Sequence, residues 1–439
     1  MTKHRAKLKS WGNIAEYTGN VNRPDYLNGL SIPTKEKSLA FFGKGRSYGD
    51  VALSAGDHCI VTQNLNRFIF TDWEHGIIRA ESGMTLGKIL KYSVPRGWFL
   101  PVTSGTKFVT LGGAVANDIH GKNHHQEGSF GNFVRAIGLR RSDSEEVLTL
   151  NKTNNTELFE HTISGLGLTG FIAWVEIELK PVCSSYFDVE NIKFSNLKEF
   201  FELSKLSEDF PYSVAWVDCF AKGNSLGRGV FTRARHSQED GTLAQLANDR
   251  KLAMPINFPS FVMSKMNIKA FNKLYMIRPG ATFNGKQHFD NFLYPLDKIL
   301  NWNKLYGKRG FYQYQAIVPM ENAREIVSEL LKTIEISGLG SFLAVLKIHG
   351  KETSPGKNSF PFEGTSLALD FPNSNKKTLR LFTELDQIVE KCGGRLYPAK
   401  DFHMSSTAYK NSYPNWKTLE ELRDPVIQTK FWKRITEKS

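Results

Sequence analysis

Gly43-Lys44-Gly45-Arg46-Ser47-Tyr48-Gly49-Asp50 follows an apolar run, Leu39 to Phe42, and gathers three glycines and a serine hydroxyl into one turn. Glycines let successive backbone N–H groups converge on an anion, which is how a turn cradles a pyrophosphate. The spacing is not the G-x-G-x-x-G dinucleotide fingerprint, because no acidic residue about 20 positions on completes a βαβ unit. Nor is it a P-loop, since Lys-Ser/Thr does not close it. A second stretch runs from Pro101-Val102-Thr103-Ser104-Gly105-Thr106 through Thr110-Leu111-Gly112-Gly113-Ala114-Val115-Ala116-Asn117-Asp118-Ile119-His120-Gly121-Lys122-Asn123-His124-His125. Small residues from Gly112 to Ala116 predict a short helix that a flat ligand can approach closely, its first amides turned toward phosphate. Gly165-Leu166-Gly167-Leu168-Thr169-Gly170 supplies a third such turn. Three close-approach turns in one stretch of chain point to a dinucleotide-sized cofactor. His120, His124 and His125 invite a metal, but no Glu follows the first His as in H-E-x-x-H, and Gly121 and Asn123 weaken the helix such a site needs. The expectation is no metal.

The elements that hold these turns are legible from periodicity. Leu39–Gly43, Cys59–Gln63, Arg67–Asp72 and Gly76–Glu81 read as strands, and Thr85 caps a helix with Leu86, Ile89 and Leu90 on one face, ended by Pro95-Arg96-Gly97. Phe133–Leu139, Glu146–Leu150 and Gly170–Leu179 follow as strands. From about Tyr186 the texture changes. Strands over 212–220, 227–235, 312–319, 341–349 and 365–372 accompany two amphipathic helices, Met320–Ser337 and Asn375–Cys392, the second with Leu379, Phe382, Leu385, Ile388 and Val389 inward and a stop at Gly393-Gly394. Residues 236–310, rich in Lys, Phe, Met and Tyr, read as an irregular binding loop or flap. The tail after Arg395 is mixed helix and turn. The fold class is α+β, in two lobes.

With 439 residues and 40% hydrophobic side chains, including 31 Phe, the chain has material for two cores, and 23% charged residues is ordinary for a folded protein. No apolar run reaches the roughly 18–20 residues of a spanning helix. The start, MTKHRAKLKSWGN, leads into no apolar core of a signal peptide. A cytoplasmic location, or a peripheral one at the inner membrane, is expected. Cys59, Cys183, Cys219 and Cys392 lie far apart with no C-x-x-C pair, against a disulfide scaffold and against a cysteine-built zinc site. The net charge of +13 favours anionic partners, yet Lys and Arg form no run and interleave with aromatics on no nucleic-acid-binding module, so nucleic acid is not expected.

Together GKGRSYGD, PVTSGTKFVTLGGAVANDIHGKNHHQEGSFGN and SGLGLTGFIAWVEIEL resemble the flavin lobe of the vanillyl-alcohol-oxidase-type (PCMH-type) FAD enzymes. The likeness is greatest to the decaprenylphosphoryl-β-D-ribose 2′-oxidase family. It extends over nearly the whole chain, through YSVAWVDCF, FLYPLDKILNWNKLYGKRGFYQYQAIVP, SFLAVLKIHG and GGRLYPAKD. The resemblance implies an FAD-binding domain over 1–184, to which 395–439 return, and a substrate domain over 185–394 built on an antiparallel sheet. It implies that Gly43, Lys44, Gly45, Arg46, Ser47, Tyr48 and Gly49 hold the FAD pyrophosphate. Gly105, Thr110, Leu111, Gly112, Gly113, Asn117, Asp118, His120, Ile172 and Tyr397 would line the rest of the cofactor. Many relatives tether the flavin through a His in the first turn; Arg46 stands there, so FAD is expected to be noncovalent.

By the same resemblance Lys400, His120 and Lys122 serve catalysis, Gln313, Gln315, Lys347, Ser366 and Lys400 face the sugar or phosphate, and Trp216 and Tyr294 wall the pocket. The implied reaction oxidises the C2 hydroxyl of a polyprenyl-phosphoryl pentose to a ketone, the first half of a 2′-epimerisation for cell-envelope polysaccharide, completed by a short-chain NAD(P)H-dependent reductase at a membrane face. Two alternatives stay open at this stage, a soluble sugar-alcohol or aldonolactone oxidase and a non-catalytic flavin-binding protein. Mycobacterial members carry Cys where Ala368 stands and Asn where Ser366 stands. A thiol is therefore not needed for turnover, and ribose, arabinose and xylose all remain compatible with the changed position.

Overall fold

Residues 39–42 and 58–61 run parallel, 16–22 pairs parallel with 58–61 on its other side, and 4–9 closes the edge antiparallel, giving a four-stranded sheet. The computed structural model describes residues 4–30, 32, 38–238, 241–243, 252–374 and 376–437. Both ends of the first expected domain, at 1 and 439, the start of the helix expected from Asn375, and 239–240 and 244–251 of the expected flap lie outside the described residues. A second sheet of five antiparallel strands follows in the order 68–72, 77–81, 171–178, 134–140, 147–151. Its alternation of Val175 and Ile177 with polar neighbours buries one face against the helices Leu86–Ser93 and Leu111–Ala116, as the sequence pattern requires.

The third sheet is larger. Eight antiparallel strands stand in the order 283–288, 186–194, 229–236, 212–217, 344–349, 364–372, 311–319, 395–396. Helices Ala323–Ser337 and Lys376–Lys391 cover it, inserting Val327, Leu330, Ile334, Phe382, Leu385 and Val389 against Ala316, Leu346, Leu367 and Leu369. Gly393, at φ +72°, ends the second helix where a residue with a Cβ would be strained. Leu379, expected on its inner face, is exposed, and Leu381 is buried instead. Helices and antiparallel sheets thus make an α+β fold.

The described part of 236–310 is not irregular throughout. It contains a helix, Lys265–Ile277, a strand, Phe283–His288, that forms the edge of the eight-stranded sheet, and a short helix, Phe289–Leu293. After Arg395–Leu396 has joined the large sheet, the chain crosses back to the first one. Ile427 bridges Leu39, and Ala55 N donates to Gln428 O at 3.0 Å. Among the described residues no helix is long and apolar enough to cross a membrane.

Candidate active site

A cavity of about 400 Å³ lies between the glycine turns and the large sheet. One wall is Gly43 to Tyr48 with Gly105, Thr110, Gly112, Gly113, Asn117 and Ile172; the other is Gln313, Gln315, Lys347 and Ala368, with His120, Tyr397 and Lys400 between. Leu166, Gly167 and Gly170 of the third turn also line it.

The turns interlock. Thr110 caps the helix Leu111–Ala116 by accepting from Gly113 N, and a Cβ on Gly43 would sit 2.5 Å from that same Thr110 Oγ1. Gly45 has φ +61°, and Phe42 packs where its side chain would be. Bare backbone therefore forms much of this wall. Asn117, its Nδ2 held by Gly113 O at 2.9 Å, keeps a buried Oδ1 with no partner on the cavity wall. Arg46 lies over the rings of Trp11 (4.3 Å) and Phe108 (5.3 Å), and burial lowers its guanidinium. A cradle of backbone N–H groups, the cations Lys44 and Arg46 and one orphaned acceptor fits a flat, phosphate-bearing cofactor. Gly45 to Gly49 also spells G-x-S-x-G, but no helix follows before Leu86 among the described residues, so it is no nucleophile elbow.

The first turn also places Lys400. Tyr48 N donates to Ala399 O at 3.0 Å, and the Cα of Gly49 lies so near Asp401 O that a Cβ would stand 1.7 Å from it. Lys400 Nζ consequently sits 3.8 Å over the Tyr48 ring. Burial lowers the Lys400 ammonium and raises the Asp370 carboxyl, while each charge favours the other. Gln313 Nε2 donates to Asp370 Oδ1 at 2.6 Å across paired strands. Tyr397 stacks on Phe360 at 4.7 Å and donates its hydroxyl to Asn117 O at 2.9 Å.

Two further lysines stand close by. Burial, then Lys122 and Lys400, bring Lys347 down to about 7, and burial alone brings Lys122 to about 7. Lys122 donates to Phe292 O and lies 4.4 Å over the Phe292 ring. It does not line the cavity, and neither do Gly49, Leu111, Asp118, Trp216, Tyr294 or Ser366. These stand behind the wall. Asp118 accepts from Ser129 Oγ and Gly131 N, both at 2.7 Å, and from Ser359 Oγ. Tyr294 shares a 2.6 Å hydrogen bond with Thr103. Trp216 donates to Phe342 O at 2.9 Å and packs on Tyr275, and Ser366 is 2.8 Å from His349 Nε2.

Sequence reasoning missed Trp11, Asp297 and Asp370. A usable signal existed only for the last: Asp370 is the one acid in an apolar strand and shares a face with Ser366 and Ala368 at period two.

An FAD binding domain family matches residues 32–149. Decaprenylphosphoryl-β-D-ribose oxidase of Mycolicibacterium smegmatis is 35% identical over 95% of this chain and 94% of its own length. An uncharacterized protein of Streptomyces coelicolor is 28% identical over 78% of this chain and 96% of its own, and a D-lactate dehydrogenase of Anaerostipes hadrus is 26% identical over 34% of this chain and 32% of its own. The cavity, its backbone cradle and the matched domain define an FAD-dependent oxidoreductase of the class that acts on CH–OH groups. Within that class, the chain belongs to the decaprenylphosphoryl-β-D-ribose oxidase family.

Proposed function

We propose that this enzyme oxidises the C2 hydroxyl of a polyprenyl-phosphoryl pentose to the 2-keto sugar, opening a 2′-epimerisation for cell-envelope polysaccharide. The observation that carries the reading is the near full-length likeness to a decaprenylphosphoryl-β-D-ribose oxidase, joined to a cavity with a cofactor cradle on one wall and Lys347, Gln313 and Gln315 on the other. FAD, held noncovalently with Arg46 in its pyrophosphate turn, supplies the acceptor for the hydride on C2. The FAD-binding domain spans 1–184 with 395–439, and the substrate domain spans 185–394.

The remaining work belongs to the chain. As C2 loses hydride its hydroxyl must lose a proton, and we assign that proton to Lys400, a reading supported by the burial that destabilises its ammonium. His120 orients the sugar, Lys347 meets the phosphoryl group with Gln313 and Gln315 on the ring hydroxyls, and Lys122 reinforces the positive field. Trp216, Tyr294 and Ser366 act from behind the wall by fixing the strands and loops that carry these groups. A 2-keto product calls for a short-chain NAD(P)H-dependent reductase as the consuming partner. The substrate's lipid and the net charge of +13 support peripheral contact with an inner membrane face.

Anaerobic absorbance with a panel of sugars tests this. Bleaching by polyprenyl-phosphoryl pentoses, and not by free pentitols or aldonolactones, is expected. Bleaching by the free sugars alone would remove the lipid-linked substrate.

A further inference from the structure

Between Arg250 and Asp290 the sequence holds no acidic residue, yet it carries Lys251, Lys265, Lys269, Lys273, Arg278 and Lys286. The same stretch is where apolar surface meets water. Among the described residues, Leu252, Ile256, Phe261, Met266, Phe271, Leu274 and Ile277 are all exposed, Met266 by 77% and Leu252 by 74%. Scattered exposed apolar residues are normal; seven within 26 positions are not.

The helix Lys265–Ile277 explains how they are held outward. Its inner side is already satisfied: Ile268 is buried, Asn272 donates to Asp218 Oδ1 at 2.8 Å, and Tyr275 packs 4.3 Å from the Trp216 ring. Met266, Ala270, Leu274 and Ile277 then follow at helical spacing on the outer side, with Lys265, Lys269 and Lys273 in a row beside them. An apolar stripe with basic flanks and no acid on its own helix, Glu335 of the neighbouring helix reaching only Lys265 of these three lysines, at 3.9 Å, matches the interface of an anionic bilayer, whose acyl boundary takes the apolar side chains and whose headgroups take Lys269 and Lys273.

The first segment of the patch also adjoins the cavity wall. Leu252–Ala253 pairs with Ile299–Leu300, and Ile299 and Leu300 line the cavity wall. We infer that this face, Leu252–Ile256 with the outer side of Lys265–Ile277, docks the enzyme on an anionic lipid surface with the cavity mouth against the bilayer. A lipid-linked headgroup then enters while its tail stays in the membrane. That last consequence rests on the proposed substrate; the docking does not.

The test is co-sedimentation of the holoenzyme with phosphatidylglycerol–phosphatidylcholine vesicles and with phosphatidylcholine vesicles. Binding to the first, weakened by salt and much reduced on the second, is expected. Leu274→Glu with Ile277→Glu, and separately Lys269→Glu with Lys273→Glu, should each weaken it by more than about tenfold. Both variants should keep flavin absorbance and reduction by a water-soluble short-chain phosphoryl pentose. No vesicle binding, or variants that bind like the parent, would overturn the inference. So would concentration-dependent self-association abolished by the same substitutions, which would give the face to a second copy. Vesicle binding without reduction by the short-chain sugar would sink the substrate reading and leave the docking face standing.

Discussion

Nζ of Lys347 stands 3.0 Å from Nδ1 of His120, and the side-chain amide of Gln315 stands 3.0 Å from Nε2 of the same ring. Burial, then the positive charges around it, hold His120 well below the ordinary imidazole range, so the ring is neutral. A neutral imidazole has one donor and one acceptor. Two nitrogen groups, the Gln315 amide NH2 at Nε2 and Lys347 Nζ at Nδ1, face the ring, which can accept from only one of them and donates to the other when Lys347 is neutral. His120 is therefore a strut between Lys347 and Gln315, its tautomer tied to the charge on the lysine.

This arrangement sets a pH dependence for substrate binding. Lys347, brought to about 7, is charged below that pH and increasingly neutral above it. A phosphoryl group needs the charged form. Substrate affinity should weaken as pH climbs from about 6 to about 9, and Lys347→Met should bind at least about tenfold more weakly with a flatter profile. Dissociation constants measured across that range decide it; a parent-like profile in the variant would exclude Lys347.

Lys400 carries a different expectation. Lys400→Ala should retain FAD but reduce it with substrate about 10²–10⁴-fold more slowly, the usual contribution of a general base. Lys400→Arg separates two roles. A guanidinium keeps its charge and cannot accept the proton, so it should not restore the rate. Stopped-flow reduction of both variants is the measurement, and recovery in Lys400→Arg would make Lys400 a fixed charge instead of a base.

Arg46 decides how the cofactor is held. Its guanidinium offers no nucleophile to the isoalloxazine, so acid precipitation should leave the yellow colour in the supernatant. Colour in the pellet would contradict noncovalent binding. Arg46→Ala should lower flavin occupancy at purification, because the turn loses one of its two cations, Lys44 remaining with the backbone donors.

How much of this could be read in the residues themselves depended on where each constraint lies along the chain. The turn at Gly43–Gly49 was legible because the need for bare backbone is written locally, at Gly45 by φ and at Gly49 by the approach of Asp401. The α+β class was legible from the period-two and helical patterns. The helix Lys265–Ile277 was not, because its outer side is apolar like its inner side and the contrast that marks an amphipathic helix is missing. Asp370 beside Lys400, and Arg46 beside Trp11 and Phe108, depend on tertiary approach that no local pattern encodes. Family resemblance supplied Lys400, which meets Tyr48 from about 350 residues further along, and Tyr397, which meets Asn117 from 280 residues further along.

His403 anchors the segment that carries Lys400, and its ionisation makes that anchor pH-sensitive. Its Nδ1 lies 3.1 Å from Asp401 Oδ1 and its Nε2 lies 3.0 Å from Asp386 Oδ2, while Arg434 holds the other Asp401 oxygen at 2.9 Å and reaches Asp50 at 3.1 Å. Burial opposes a charge on His403, but the two carboxylates outweigh it and raise the imidazolium to about 9. An unfolded histidine titrates near 6.5. The folded state thus binds this proton more tightly, a stabilisation fully present below about pH 6.5 and lost as pH rises through about 9, on the order of 3 kcal/mol at its plateau. Asp401 runs the other way: burial would raise it, His403 and Arg434 hold it far below the carboxylate range, and its contribution is lost only in acid. His403→Gln should therefore unfold well below the parent at pH 6, and the gap should narrow steadily toward pH 10. Thermal midpoints of both proteins across that range measure it, and a gap independent of pH would mean that His403 supports the segment by packing alone.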